Sequence, residues 1–176
     1  MSSGPPDIRA LSVEAYRAAI PGLAALTVDA VNDGSGVNFL AGVTEAETGA
    51  WWTGRVDAVA AGVITPFVAF DDDRVVGSVL LIRSVNANSP HRAEIGKVIV
   101  FRSHRRRGIA AALMTAAEER ARVDGRWLLM LDTVTGSAAD SFYRATGWTA
   151  AGIIPNHALL PDGTPSDTTY FWKDLR

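Results

Sequence analysis

Between a strand-like stretch and an Ala-rich helical pattern the chain reads Arg105-Arg106-Arg107-Gly108-Ile109-Ala110. A helix N-terminus presents four N–H groups without intrahelical partners and roughly half a positive charge. Arginines and a glycine at that place suit a pyrophosphate, because small residues let the backbone approach and the N–H groups point at the oxygens. A solvated basic turn, or part of a nucleic-acid patch, would use the same residue types; the position at a helix start favours the anion site. The run is neither the Walker nor the dinucleotide-binding glycine pattern, so ATP and NAD are poorer fits.

Three further side chains could move protons. Asp132 closes the apolar run Trp127–Leu131, and a carboxylate ending a buried strand is expected to ionise at higher pH than usual, which suits a base. A helix N-cap or turn role accounts for Asp132 equally well. Glu94 opens the strand leading to the arginine-rich loop, and a solvated strand-edge charge explains it on sequence alone. Tyr143, beside Phe142, is a phenol able to donate a proton or an ordinary packing residue. Lys97 reads as a solvent-facing strand residue.

The elements that must place these groups follow from period and punctuation. Ile8 to Leu11 forms a short first strand. Val13 to Val31 reads as helix, broken or restarted at Pro21-Gly22, and Asn32 to Gly36 as a loop. Thr44-Glu45-Ala46-Glu47 has the form of a capping box opening a helix towards Ala60; neighbouring Trp51 and Trp52 on it point to different faces, so at least one belongs to the core. Phe67–Phe70 and Arg74–Ile82 flank three aspartates as a hairpin. A strand over Ala93–Phe101 leads to a helix from Ile109 to Val123, with Ile109, Leu113, Ala116 and Val123 on one apolar face. The run Trp127–Leu131 marks a central strand buried on both faces. Gly136 to Thr146 is a second amphipathic helix stopped by Gly147, and strands at Thr149–Ile154 and Thr168–Trp172 follow. The order predicts an α/β (α+β) architecture with a mixed sheet.

Composition excludes several functions. The chain has 176 residues, no cysteine, three scattered histidines, and 17 basic against 19 acidic residues. One domain over residues 1–176 is the expectation. Thiolate chemistry is ruled out, no histidine spacing converges on a metal, and the charge balance gives no global reason to bind nucleic acid or membrane. The polar start, without a following apolar run, is not a secretory signal, and no stretch is long and apolar enough to span a bilayer. A cytoplasmic protein is expected.

The run Arg105–Ala110 matches the Arg/Gln-x-x-Gly-x-Gly/Ala signature, and Ala139-Asp140-Ser141-Phe142-Tyr143 with Gly147-Trp148 matches the Ala-x-x-aromatic-Tyr-x-x-x-Gly-aromatic segment, of the GNAT superfamily of N-acetyltransferases. Val37-Asn38-Phe39-Leu40, His91-Arg92-Ala93-Glu94, Leu131-Asp132-Thr133, Gly136-Ser137 and Pro161-Asp162-Gly163 resemble the tabtoxin-resistance acetyltransferases within it. The resemblance covers most of the chain from about Val31 and implies a GNAT fold: a mostly antiparallel sheet of six to seven strands, flanked by helices, with splayed central strands. It implies acetyl-CoA as acetyl donor, held by Val98, Ile99 and Val100 of the splayed strand, by Arg105, Arg106, Arg107, Gly108, Ile109 and Ala110, and by Ser137, Ala139 and Tyr143. An N–H near Ile99 is expected to stabilise the oxyanion. Glu94 and Asp132 are implied as the groups that activate the amine, and Tyr143 as the general acid. Asn38, Phe39, Glu94, Asp132 and His157, with Trp51, Trp52 and Tyr170, are candidates for the acceptor site. One departure stands out: many members carry asparagine where this chain has Gly136.

The implied activity is acetyl transfer to a small-molecule amine, amino-acid-like or antibiotic- or toxin-like. A non-catalytic CoA-binding sensor and a protein lysine or N-terminal acetyltransferase are the alternatives. The retained Glu94, Asp132 and Tyr143 argue against a sensor, and the aromatic-rich helices before Pro66 against an open protein-binding groove. A homodimer is left open.

Overall fold

The computed structural model describes residues 7–176; the polar start, read above as no secretory signal, lies outside them up to residue 6. Seven strands form one sheet: β1 (Asp7–Ala10), β2 (Ile64–Asp71), β3 (Arg74–Arg83), β4 (Arg92–Val100), β5 (Leu128–Val134), β6 (Thr149–Leu159) and β7 (Pro165–Asp174). Their order across the sheet is β1-β2-β3-β4-β5-β7-β6. Every neighbouring pair is antiparallel except β4 with β5. This is the GNAT arrangement expected from the sequence. Helices α1 (Val13–Asn32), α2 (Glu45–Thr53) and α3 (Val56–Ala60) precede β2, while α4 (Ile109–Val123) and α5 (Ala138–Ala145) bracket β5. None of the described helices is long and apolar enough to cross a membrane.

Each face of the sheet has its own core. Tyr16, Leu23 and Leu26 of α1 pack with Trp52, Val56, Val68, Leu80 and Ile99 on one face. Ile109, Leu113 and Ala117 of α4 pack with Val79, Ile95, Leu129, Leu131, Tyr143 and Phe171 on the other. Burying each large apolar side chain contributes about 1.5–3 kcal/mol. β3, buried from Val75 to Leu81, serves both cores: Val76, Val79 and Leu81 join the α4 side and Val75 and Leu80 the α1 side, the alternation interrupted by a register shift opposite Ala69 and Phe70.

Several expected elements differ. Pro21 does not break α1, which is continuous; Pro21 lies on the solvent side, where water can satisfy the carbonyl that its ring leaves without a donor. The capping box at Thr44 and Glu47 forms, but α2 stops at Thr53, and α3 restarts after Gly54. In α4 the buried positions advance by four, through Ile109, Leu113, Ala117 and Ala121, leaving the terminal Val123 83% exposed. β5 is not buried on both faces. Leu129 and Leu131 are buried, Leu128 and Met130 half-buried and Asp132 exposed. The layer of α1 to α3 packs over β2, β3 and β4, and β5 carries α5 on its other face; β4 and β5 pair only over Arg92–Glu94 with Leu128–Met130, then part. Beyond that fork neither strand's facing edge has a ladder partner.

Candidate active site

The arginine-rich loop lies at the wide end of the fork. A single 3₁₀ turn (Arg102–His104) leads from β4 into it, and Gly108, at φ 77°, is the N-cap of α4. Glycine adopts this left-handed conformation without strain, and a Cβ there would meet nothing within 4 Å. No side chain caps the helix and its first turn carries no acid, so the N–H groups at its start face an open cradle suited to a pyrophosphate. The three arginines do not share one role. Arg105 pairs with Asp33 and donates through Nε to the Val100 carbonyl at 3.2 Å. Arg106 (φ 61°) and Arg107 are exposed and make no ion pair among the described residues. Arg102 is clamped to Asp29 (2.9 Å), and buried His104 lies 3.1 Å from Asp71. The loop is thus pinned to α1 and to the β2–β3 hairpin while two guanidinium groups project outward.

β4 carries a bulge here. The register with β3 shifts so that Lys97 and Val98 together oppose Val79, with Lys97 at φ 52°; a bulge of this kind re-aims side chains beside functional sites. The Ser78 hydroxyl donates to the Lys97 carbonyl at 2.9 Å. Past the bulge, the Phe101 N–H donates to the Val76 carbonyl, and backbone direction alternates along a strand. The N–H of Ile99 therefore turns to β3, and that of Val100 to the open edge. The Ile99 N–H, expected as an oxyanion donor, is thus directed at β3, and the N–H that faces the fork is that of Val100.

On the side of α1 to α3, the sheet gathers the carboxylates. Asp132 lies directly opposite Tyr170, and Glu94 pairs in register with Met130, two residues before Asp132; residues two apart, and residues directly opposite, share a face. The Glu94 carboxyl is raised above the ordinary glutamate range by partial removal from water and by the charge of Asp132, with Lys97 and Arg92 opposing. Tyr170 is raised too, by desolvation and then by Asp132 and Glu94; its hydroxyl lies 3.0 Å from His157 Nε2. The tryptophan pair divides. Trp52 is fully buried and donates to the Thr27 hydroxyl at 2.9 Å, whereas half-buried Trp51 meets Phe39 edge-on and carries Arg55 and Lys97 over its ring at 3.8 and 4.5 Å. Asn38 accepts from Lys97 Nζ at 2.6 Å. Lys97 is not the solvent-facing residue expected. Burial and the neighbouring Arg55 bring its ammonium down to about 8, against the pull of Asp132 and Glu94. Arg55 was missed in the sequence; its place one residue past the Gly54 helix stop, four from Trp51, was the signal available.

Tyr143 is buried, against Trp148 and Phe171, and burial, then the charge of Asp132, raises its phenol well above the ordinary value. Ser137 is the N-cap of α5, its hydroxyl accepting from the Asp140 N–H at 3.1 Å, and Ala139 packs against the core. Both residues thus have local structural roles. Gly136 stands at φ 73° and donates its N–H to Asp140 at 3.0 Å. Asparagine tolerates that conformation better than most residues, so the exchange keeps the backbone path and drops only a side chain.

Residues 42–148, more than half of the chain, match the model of the Acetyltransferase (GNAT) family. The chain belongs to the GNAT acetyltransferase family. The matched region takes in Glu94, the arginine-rich loop, Asp132 and Tyr143. Among curated relatives, N-alpha-acetyltransferase 30 of Schizosaccharomyces pombe is 32% identical over 83 residues, 47% of this chain and 55% of that protein; the match spans about half the length of that relative. Two solved structures share the GNAT fold across nearly the whole chain. An N-acetyltransferase from Staphylococcus aureus Mu50 superposes with a TM-score of 0.78 at 19% identity, covering 98% of this chain and 100% of its own. A GNAT superfamily phosphinothricin acetyltransferase from Sinorhizobium meliloti, in complex with acetyl-CoA, gives 0.78 at 17% identity, covering 97% and 89%.

Proposed function

We propose that this GNAT protein transfers the acetyl group of acetyl-CoA to the nitrogen of a small-molecule amine, amino-acid-like or antibiotic- or toxin-like. The observation that carries the reading is the fork between β4 and β5. It places an uncapped helix N-terminus at one end and Glu94 with Asp132 on one face beside it. The residues present fit acetyl-CoA: the open cradle at Gly108 with Arg106 and Arg107 suits the pyrophosphate, and the unpaired edges of β4 and β5 suit the amides of the pantetheine arm. Once bound, acetyl-CoA supplies an acyl group activated as a thioester.

The chain's own residues do the rest. An alkylamine holds its proton to about pH 10.4, so Glu94 and Asp132 take a proton from it, directly or through water, and leave the nitrogen lone pair free. N–H groups on the open edge of β4 face the oxygen on which charge develops. Tyr143 keeps its proton at neutral pH and offers it to the departing sulfur. The burial and the nearby carboxylate that raise the phenol also make a thiolate there more basic, which offsets the weaker acidity of the phenol.

A second reading, acetylation of a peptide N-terminus, draws on the similarity to N-alpha-acetyltransferase 30. Against it, the loop after α1 is tied to the β6–β7 turn by an Ala41 N–H to Pro161 carbonyl bond of 2.8 Å, which bridges the side where a long peptide would lie. The deciding experiment is calorimetric titration with acetyl-CoA, repeated on Arg107→Ala and Gly108→Val, then thiol release with small amines and with peptides bearing a free N-terminus. Micromolar-range binding weakened in both variants, with turnover of small amines, is expected. Turnover of peptides alone would establish the second reading, and absence of acetyl-CoA binding would overturn both.

A further inference from the structure

The chain has two lysines, and the contrast between them is informative. Lys173 donates to both oxygens of Glu118, at 2.8 and 2.9 Å, and to the Thr146 carbonyl at 3.0 Å. Lys97 is only half exposed, yet among the described residues it has no ion pair. Its partners are a neutral amide oxygen on Asn38 and the face of Trp51, which it shares with a second cation, Arg55. A partly desolvated charge without a counter-ion is costly, and here it borders an open site. The surroundings also hold Lys97 in place. Two successive residues, Val37 (φ 36°) and Asn38 (φ 77°), adopt left-handed backbone, strained for a β-branched valine. The Phe39 N–H to Gly36 carbonyl bond (2.6 Å) closes this turn, and the turn brings Asn38 onto the ammonium. The strand bulge, with Lys97 itself at φ 52°, aims the ammonium towards α2.

We propose that Lys97, supported by Asn38 and Arg55, receives the carboxylate of the acceptor, so that the acceptor is a small amino acid or an amino-acid-like zwitterion whose amine lies against Glu94 and Asp132. This rests on the acetyltransferase reading above. Lys97 lies three positions after Glu94 on β4, about 10 Å of extended backbone; their long side chains narrow that gap, and the charges of Glu94 and Asp132 are felt at Lys97. Cation and carboxylates thus flank a site complementary to a molecule with the reverse arrangement. Asn38 takes one of the three ammonium donors, leaving two for a ligand. A carboxylate there replaces a neutral acceptor with a charged one, and charge-assisted bonds are roughly twice as strong. At pH 7 an ammonium with its value about 8 is roughly nine-tenths protonated and ready for that role.

The test compares amines presented as the free amino acid, as its carboxamide and as the decarboxylated amine, with the wild type, Lys97→Met and Lys97→Arg. The preference for acid over amide, as a ratio of kcat/KM values, is expected to fall about 10–100-fold in Lys97→Met and to be largely restored in Lys97→Arg, the change residing in KM. In the wild type, KM for the acid alone is expected to rise as pH passes about 8 and Lys97 loses its charge. The charged groups facing it are Glu94 on β4, Asp132 on β5 and Arg55 before α3. Calorimetry of the amino acid into CoA-loaded protein gives a readout independent of turnover. If no amine is acetylated, the transferase reading fails while calorimetry still decides Lys97. Equal losses on acid and amide, or acid binding unchanged in Lys97→Met, would overturn the proposal.

Discussion

Glu94 shows how a side chain's chemistry is set by its neighbours more than by its type. Partial removal from water and the charge of Asp132 raise its carboxyl, so its base form is populated only above the usual glutamate range. The sign follows: the rate of amine acetylation falls as pH drops through that raised value. In Glu94→Gln this acid limb flattens and kcat/KM drops by about 10²–10⁴, with acetyl-CoA affinity retained; pH–rate profiles and calorimetry check both. Glu94, Asp132 and Tyr143 entered the candidate site through the family resemblance, and their roles belong to the proposal above; the structure adds that Glu94 and Asp132 share one face of the sheet. The place of Lys97 was not legible, because a strand read at period two puts it on the face opposite Glu94, and the bulge that brings it to the same side depends on register with β3, which the local sequence does not carry. The Trp51–Trp52 pair was half legible: adjacency on a helix assigns opposite faces, but only packing says which indole is core.

Elements announced by local chemistry formed where expected. The Thr44 capping box, the β2–β3 hairpin and the stop at Gly147 (φ 85°) each depend on residues within one turn of one another. Those that depend on tertiary exposure did not, such as the uninterrupted α1 and the one-sided burial of β5. The junction of α4 with β3 belongs with the second kind. Gly77 lets the helix approach so closely that a Cβ would meet Ile109 Cγ2 at 3.0 Å, Leu113 Cδ1 at 3.1 Å and the Ile99 carbonyl at 3.2 Å. Gly77→Ala is expected to cost about 1–3 kcal/mol by overpacking, measured by denaturant unfolding, and to weaken acetyl-CoA binding by shifting the start of α4. At the other helix, Asp140 anchors α5 by accepting from Arg144 (2.5 Å), the Gly136 N–H and the Thr169 hydroxyl (3.2 Å). Burial pushes its carboxyl up, but these donors together hold it below the ordinary aspartate value. Its contribution to stability is therefore present above that ordinary value and is lost as pH falls through the lowered one. Asp140→Asn removes it, with an expected loss of about 1–3 kcal/mol at pH 7 that shrinks in acid.

Across the molecule, one sheet separates two cores, and the fork at β4–β5 is where the sheet opens between them. On one face the sheet carries Glu94 and Asp132 beneath a helical layer that includes Trp51, and the N-terminus of α4, from the other face, reaches the same opening. The stretch from Asp29 to Asn38 touches both parts: Asp29 holds Arg102, Asp33 holds Arg105, and Asn38 holds Lys97. Whatever steadies one end of that stretch steadies the other, so on the proposed reading the two substrates are expected not to bind independently. Each is expected to tighten the other by the same factor, since coupling between sites is reciprocal. Double-reciprocal plots for the two substrates should then intersect to the left of the axis and above the abscissa. In Asp33→Ala, with the tie to Arg105 cut, the intersection should move towards the abscissa, as it does when two ligands ignore each other.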